Sequence, residues 1–293
     1  MSDTFAYYPG CSGLGTSLEY DSSTRAVGAA LGLTLVDIPD WSCCGSSPAH
    51  TVDHTLSAAF SARNLALVAD MGLDQIVTPC PSCLKNLRTA AHRMRQPAFR
   101  SGVNRLLDRP YNGSVSSISM LQALVERAGV EAVAAAVRRP LGGLRLAAYY
   151  GCIMNRPPEL MAFDDPENPT AMDGLLAALG AEVVAFPLKV ECCGASFGVP
   201  FNNVVVNLSG KILSCARDCG ADAVVVACPM CQMNLDLRQG QINRALNMGF
   251  EMPVFYFTQL IGFAMELPEK AIGLRKLNIS PWTVLGRVNA AAS

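Results

Sequence analysis

Basic residues are not in excess in this chain: 23 Lys and Arg against 24 Asp and Glu leave a formal net charge of -1. A surface that gathers phosphates or anionic headgroups needs a cationic surplus, so neither nucleic acid nor an anionic membrane is an expected partner. No run of about 18 uninterrupted apolar residues is present to span a bilayer, and the opening MSDTFAYYPG has no cationic segment leading into an apolar one. The expectation is a soluble, cytoplasmic protein. Histidine is scarce: His50, His54 and His92 are too few for a histidine-rich metal site. No Gly-x-Gly-x-x-Gly turn or flavin motif follows a strand-like run, so direct hydride transfer is not expected.

What the chain has instead is cysteine. Of 12 cysteines in 293 residues, ten fall into two copies of one pattern. A lone cysteine is followed by Cys-Cys-Gly and then Cys-Pro-x-Cys: Cys11, Cys43, Cys44 and Gly45, Cys80 and Cys83; then Cys152, Cys192, Cys193 and Gly194, Cys228 and Cys231. In a reducing compartment such a set reads as metal ligands or redox groups rather than a disulfide framework. Five thiols per half exceed the four that one tetrahedral zinc or one ordinary four-iron cubane takes up.

With 51% hydrophobic residues the chain can bury a large core, and the repeat divides it in two. In the first half, Phe5 to Tyr8, Thr34 to Ile38 and Gln75 to Thr78 read as strands. They alternate with helices from about Leu18 to Leu31, Asp53 to Met71 and Cys80 to Arg95. The second half repeats the order: strands Leu144 to Tyr150, Glu182 to Phe186 and Ala223 to Ala227, helices near Ala171 to Leu179 and Asn203 to Asp218. Ala30-Leu31-Gly32 reappears 148 positions later as Ala178-Leu179-Gly180, which points to an ancestral duplication.

Alternating strands and helices imply a parallel sheet with right-handed crossovers. Every cysteine group then falls just past the carboxyl end of a strand, the rim where open α/β sheets bind ligands. The predicted domains are 1–142, including a connecting segment from about Gln96 to Gly143, and 143–293. The connector reads as a polar loop (Gly113 to Ser119) and a helix near Met120 to Val137. The segment from Val254 to about Leu277 either docks a partner or, the preferred reading, completes the second sheet and its helices.

Adjacent cysteines in an extended strand point to opposite faces, so Cys43 and Cys44 converge only if the chain turns, and the following glycine permits that turn. In each Cys-Pro-x-Cys the proline suits a first helical turn, whose N–H groups and dipole stabilise thiolate and sulfide. Three other readings compete. A buried cysteine is often only a small hydrophobe. A thioredoxin-type pair at Cys80 and Cys83 or at Cys228 and Cys231 leaves six repeated cysteines unexplained, and zinc in one half accepts an adjacent pair only with strain.

This duplicated pattern resembles the cysteine-rich CCG family, and specifically the catalytic B component of heterodisulfide reductase and its homologues in bacterial sulfur-oxidising complexes. The run Pro253-Val254-Phe255-Tyr256-Phe257-Thr258-Gln259-Leu260-Ile261-Gly262 is also similar to that component. The resemblance implies an α/β fold of two pseudo-twofold-related, open parallel-sheet (Rossmann-like) CCG domains. It implies two [4Fe-4S] clusters of noncubane type, one held by Cys11, Cys43, Cys44, Cys80 and Cys83 and the other by Cys152, Cys192, Cys193, Cys228 and Cys231. The implied activity is a disulfide reductase or thiol oxidase working by one-electron steps between two facing clusters. A ferredoxin-like C subunit, a flavin-containing A subunit and a thiol or disulfide substrate, carried on a protein in some cases, are the implied partners. Quinone-linked dehydrogenases carry related subunits, so an electron relay to a membrane-associated enzyme is the alternative. A non-catalytic subunit with purely structural clusters is a third class.

Several other positions draw attention. His50, six residues past Cys44, is a candidate proton donor to a leaving thiolate, against the plainer reading of a loop residue. Lys189 and Arg156 flank second-half cysteines and are candidates for holding an anionic substrate group, against the plainer reading of solvated surface charge. Cys215 and Cys219 lie one helical turn apart outside the repeat and are read as packing residues.

Overall fold

The structure, a computed structural model, describes residues 3–46 and 48–291. Two four-stranded sheets form, one from each half. The first contains β1 (Thr4–Tyr7), β2 (Thr34–Asp37), β3 (Gln75–Thr78) and β4 (Ser116–Ser119), in the order β2-β1-β3-β4. The second contains β5 (Arg145–Tyr149), β6 (Glu182–Val183), β7 (Ala223–Val226) and β8 (Val254–Tyr256), in the order β6-β5-β7-β8. All six strand pairings are parallel. The identical order confirms the duplicated α/β architecture. β7, an unbroken Ala-Val-Val-Val run, is buried along its whole length, as expected of a strand covered on both faces.

The connector differs from expectation. Its serine-rich stretch holds β4, paired with β3 from Gln75↔Ser116 to Thr78↔Ser119. Ser117, Ile118 and Ser119 are buried, so tertiary pairing overrides the weak strand preference of serine. The helix expected after it is broken. Met120–Ala123 runs into a wider π-helical turn, Leu124–Ala128, that ends at Gly129 with φ +88, and Val130–Ala135 restarts beyond it. Glycine adopts that dihedral without strain. β6 spans only two residues, and one further backbone bond, Val184 N–H to the Leu146 carbonyl at 3.0 Å, prolongs its pairing.

The carboxyl-terminal segment belongs to the core. β8 completes the second sheet, and every residue of the helix Phe257–Ala264 is buried. The helix Glu269–Ile272 then packs against Leu18–Ala30 of the first half. A Cβ on Gly273, which has φ +63, would lie 2.6 Å from Glu19 Cβ. The two halves are also joined by side chains. The Tyr20 ring stacks on Tyr256 at 3.9 Å between centroids and 6° between planes. The Tyr20 hydroxyl donates to the Ala227 carbonyl at 3.2 Å, and Ser23 and Thr258 hydroxyls bond at 2.7 Å. Among the described residues, no helix is long and apolar enough to cross a membrane.

Candidate metal centres

The carboxyl ends of β1 and β3 lead directly into Cys11 and Cys80, and those of β5 and β7 into Cys152 and Cys228. Cys80 and Cys228 cap the helices that open at Pro81 and Pro229, so each second Cys-Pro-x-Cys thiol sits in a first helical turn. The three loops of each half converge: Cys44 Sγ lies 3.5 Å from Cys83 Sγ, and Cys193 Sγ lies 3.7 Å from Cys231 Sγ. Cys44, Cys80, Cys83, Cys193, Cys228 and Cys231 are buried, whereas Cys11 and Cys43 are exposed and Cys152 and Cys192 half-buried.

The same supports recur in both halves. The Tyr8 hydroxyl donates to the carbonyl of Ser42 at 2.7 Å, and the Tyr149 hydroxyl to that of Glu191 at 2.7 Å, in each case the residue before the adjacent cysteines. Ser61 donates to the Cys44 carbonyl at 2.9 Å and Ser209 to the Cys193 carbonyl at 3.0 Å. Asn86 Nδ2 lies 3.2 Å from the Cys44 carbonyl and 3.8 Å from its sulfur. Its counterpart Asn234 Nδ2 lies 3.4 Å from both atoms of Cys193. These side chains fix the adjacent-cysteine turn and aim an N–H at one sulfur. None of the six was singled out by motif. The 148-residue offset that relates the halves also relates Ser61 to Ser209 and Asn86 to Asn234, so the repeat carried the signal.

Glycine makes room for sulfur. A Cβ on Gly10, at φ +70, would stand 2.9 Å from Cys83 Sγ, and one on Gly151, at φ +74, would stand 2.9 Å from Cys231 Sγ. Both positions therefore exclude any side chain, by backbone conformation and by contact.

Electrostatics follow from crowding. Hydrogen bonds from Cys43 and then Cys83 draw the Cys44 thiol down to about 3, while those same contacts, with burial, push Cys43 and Cys83 up. In the second half the bond from Cys231 brings Cys193 down to about 7, and Cys231 is pushed up. The thiols cannot all ionise against one another without a cationic centre among them. Tyr8 and Tyr149 are held protonated by burial and then by the neighbouring cysteines, so both remain hydrogen-bond donors.

Among the described residues, no three His, Cys, Asp or Glu side chains close on a point as they would around a single metal ion. The second-half thiols border a small space instead: Cys152, Cys193, Cys228 and Cys231 line a cavity of about 30 Å³. Donor set, glycine clearance and N–H groups aimed at sulfur suit a polynuclear iron–sulfur centre, which is gripped at several separated atoms. Ser82 of the first half and Met230 of the second line this same cavity. These are the variable residues of the two Cys-Pro-x-Cys turns, so the two sites adjoin across the junction of the halves. Tyr20 lies between them, its hydroxyl raised by burial and then by Cys228 and Cys80.

The remaining candidates fall elsewhere. His50 is exposed and lines a separate cavity with His54, Lys85 and Asn86. Lys189 is buried, not solvated: its Nζ donates to Asp173 at 2.5 Å and to the Pro169 carbonyl at 2.9 Å. Arg156 donates to the Pro166 carbonyl at 2.8 Å and pairs with Glu167. Both cations are committed to structure. Cys215 and Cys219 pack against the core, away from the repeat thiols.

A duplicated α/β protein with a gathering of thiols at the carboxyl rim of each parallel sheet is the class these features define. The profile of the CCG cysteine-rich domain family matches residues 5–88 and 146–236, and the chain belongs to that family. It is 34% identical over 289 residues to the 8-methylmenaquinol:fumarate reductase membrane anchor subunit of Wolinella succinogenes, covering 98% of this chain and 100% of that one. It is 28% identical over 275 residues to the B component of the ferredoxin/F(420)H(2)-dependent CoB-CoM heterodisulfide reductase of Methanosarcina acetivorans, covering 92% and 91%. A crystal structure of a hypothetical protein from Helicobacter pylori shares the fold, with a TM-score of 0.77 at 13% identity. The match covers 96% of this chain and 52% of that one, so the chain spans about half of the solved protein.

Proposed function

We propose that the chain is an electron-transfer subunit of a multi-subunit oxidoreductase, holding two four-iron clusters, one per half. Cys11, Cys43, Cys44, Cys80 and Cys83 would hold one, and Cys152, Cys192, Cys193, Cys228 and Cys231 the other, with the domains dividing between 142 and 143. Membership of the cysteine-rich family and similarity to the B components of heterodisulfide reductases support this reading. Bound clusters supply one-electron chemistry and, in noncubane form, an iron able to take up a sulfur ligand. The protein's own residues do the rest. Tyr8, Ser61 and Asn86, with Tyr149, Ser209 and Asn234, hold the cysteine turns in place. Asn86 and Asn234 direct N–H groups at sulfur, where they favour negative charge. The docked halves keep water from the buried thiols.

Beyond electron transfer, the geometry best supports making or breaking S–S bonds between the two sites, with ferredoxin-like and flavin-bearing subunits as partners. The observation that carries this reading is the cavity shared by Ser82, Met230 and the second-half cysteines, since a pure relay needs no opening where the sites adjoin. A second reading, relay between a quinol and a membrane-associated dehydrogenase, is favoured by the 34% identity to the quinol:fumarate reductase anchor subunit. Paramagnetic spectra of the anaerobic, half-reduced protein discriminate the two. On the sulfur reading, small thiols or disulfides change the spectrum and Cys44→Ser or Cys193→Ser removes the change. Spectra indifferent to every thiol, with fast reduction by a quinol through a membrane partner, establish the relay.

A further inference from the structure

Beside the first-half cysteines is a cavity of about 210 Å³ whose lining includes Lys85, Arg93, His50, His54 and Asn86. Lys85, Thr89 and Arg93 are spaced by four along the helix Pro81–Arg93 and so share one face. The two histidines come from the segment opposite, Pro48–Val52, and from the start of His54–Asp70. The cavity is lined by no carboxylate. Some arginines elsewhere are matched to acids, Arg25 to Asp21 and Asp37, Arg63 to Asp40, Arg109 to Asp70. Among the described residues, Lys85 and Arg93 make no ion pair.

The duplication supplies an internal control. At the corresponding places of the second half, 148 positions on, stand Met233 for Lys85, Leu237 for Thr89 and Gln241 for Arg93, whereas Asn86 is matched by Asn234. Leu237 is 59% exposed. The equivalent surface of the second half also carries a cation, Arg238, but its guanidinium donates to Asn234, Asn202 and Gln241 at 3.1 Å each, whereas among the described residues the side chains of Lys85 and Arg93 have no such acceptor. Concentrating like charges around a cavity is unfavourable unless an anion relieves it. Lys and Arg side chains are also the usual partners of phosphate, sulfonate and carboxylate oxygens.

We infer that this cavity is an oxyanion-binding site, formed by Lys85 and Arg93 with His50 and His54, that takes the phosphate, sulfonate or carboxylate group of a small soluble molecule. It abuts the first-half thiols, because Asn86 lines it while its Nδ2 lies 3.8 Å from Cys44 Sγ. This assigns His50 to binding through the cavity it lines. The inference goes beyond the electron-transfer reading and does not depend on it.

Calorimetric titration of the anaerobically purified full chain at constant ionic strength tests it, using inorganic phosphate, methanesulfonate and succinate as probes and chloride as the balancing anion. At least one probe binds with one site per chain. Lys85→Ala and Arg93→Ala each weaken it by about tenfold or more, as loss of a charge-assisted bond requires, and Gln241→Ala at the equivalent second-half place leaves it unchanged. Iron is counted in every sample, and Lys85→Gln and Arg93→Gln replace any alanine variant that loses metal. Absence of binding by all three probes overturns the inference, as does undiminished binding in both first-half variants. The iron count bears on the clusters alone, so failure of the electron-transfer reading would be visible separately.

Discussion

Glycine before cysteine is the most exacting requirement of the site. Gly10 and Gly151 combine a left-handed backbone with a sulfur 2.9 Å from where a Cβ would stand. Gly10→Ala and Gly151→Ala are each expected to empty one half, lowering protein-bound iron by about half, measured colorimetrically after anaerobic purification. Cys215→Ser and Cys219→Ser should leave iron unchanged, since these thiols pack against the core; loss of iron there equal to that in Cys193→Ser would refute the ligand assignment. Tyr8→Phe and Tyr149→Phe remove one buried bond each, and denaturant unfolding should register a loss of about 1 kcal/mol. The ten cysteines were legible because hydrophobic packing alone does not call for Cys-Cys-Gly twice at matching spacing. The tyrosine, serine and asparagine supports were not, because each is an ordinary residue whose role exists only once distant loops meet.

Strand and helix positions were largely legible where local pattern and burial agree, as in β3, expected and found at Gln75–Thr78. They were lost where neighbours decide. The serines of β4 form a strand because β3 offers a partner edge, and Gly129 interrupts a helix whose apolar spacing continues through it. The apolar carboxyl-terminal segment reads from sequence as either docking surface or core. Its buried Ile272, Leu274 and Leu277 decide for core. Truncation after Met265 strips these side chains from the fold and bares the helix Phe257–Ala264 and the Leu18–Ala30 face beneath Glu269–Ile272. The truncated chain is expected to be insoluble on expression, as judged by fractionation; a soluble chain that keeps its iron and loses only partners would reverse this conclusion.

At the scale of the molecule, two sheets with one topology are locked by a contact that reaches from a helix of one half to the last strand of the other. Tyr20, from the first half, stacks on Tyr256 and holds the carbonyl just before Cys228. Tyr20→Ala should cost about 3–5 kcal/mol, the usual range for deleting a buried aromatic ring. It should also split a single unfolding transition in two, observable by calorimetry. The sequence showed the duplication but not this seam, since Ser23 and Thr258 stand 235 residues apart in the chain and Ser17 and Tyr256 239. The central claim is that each half carries a complete ligand set for its own iron–sulfur cluster. Iron and acid-labile sulfide per chain, determined on the anaerobic wild-type protein beside Cys44→Ser and Cys193→Ser, test it most directly. The account predicts about eight irons with matching sulfide in the wild type, as two four-iron clusters require, and a loss of about half in each variant. One cluster's worth of iron in the wild type, or stoichiometric zinc in its place, would contradict it.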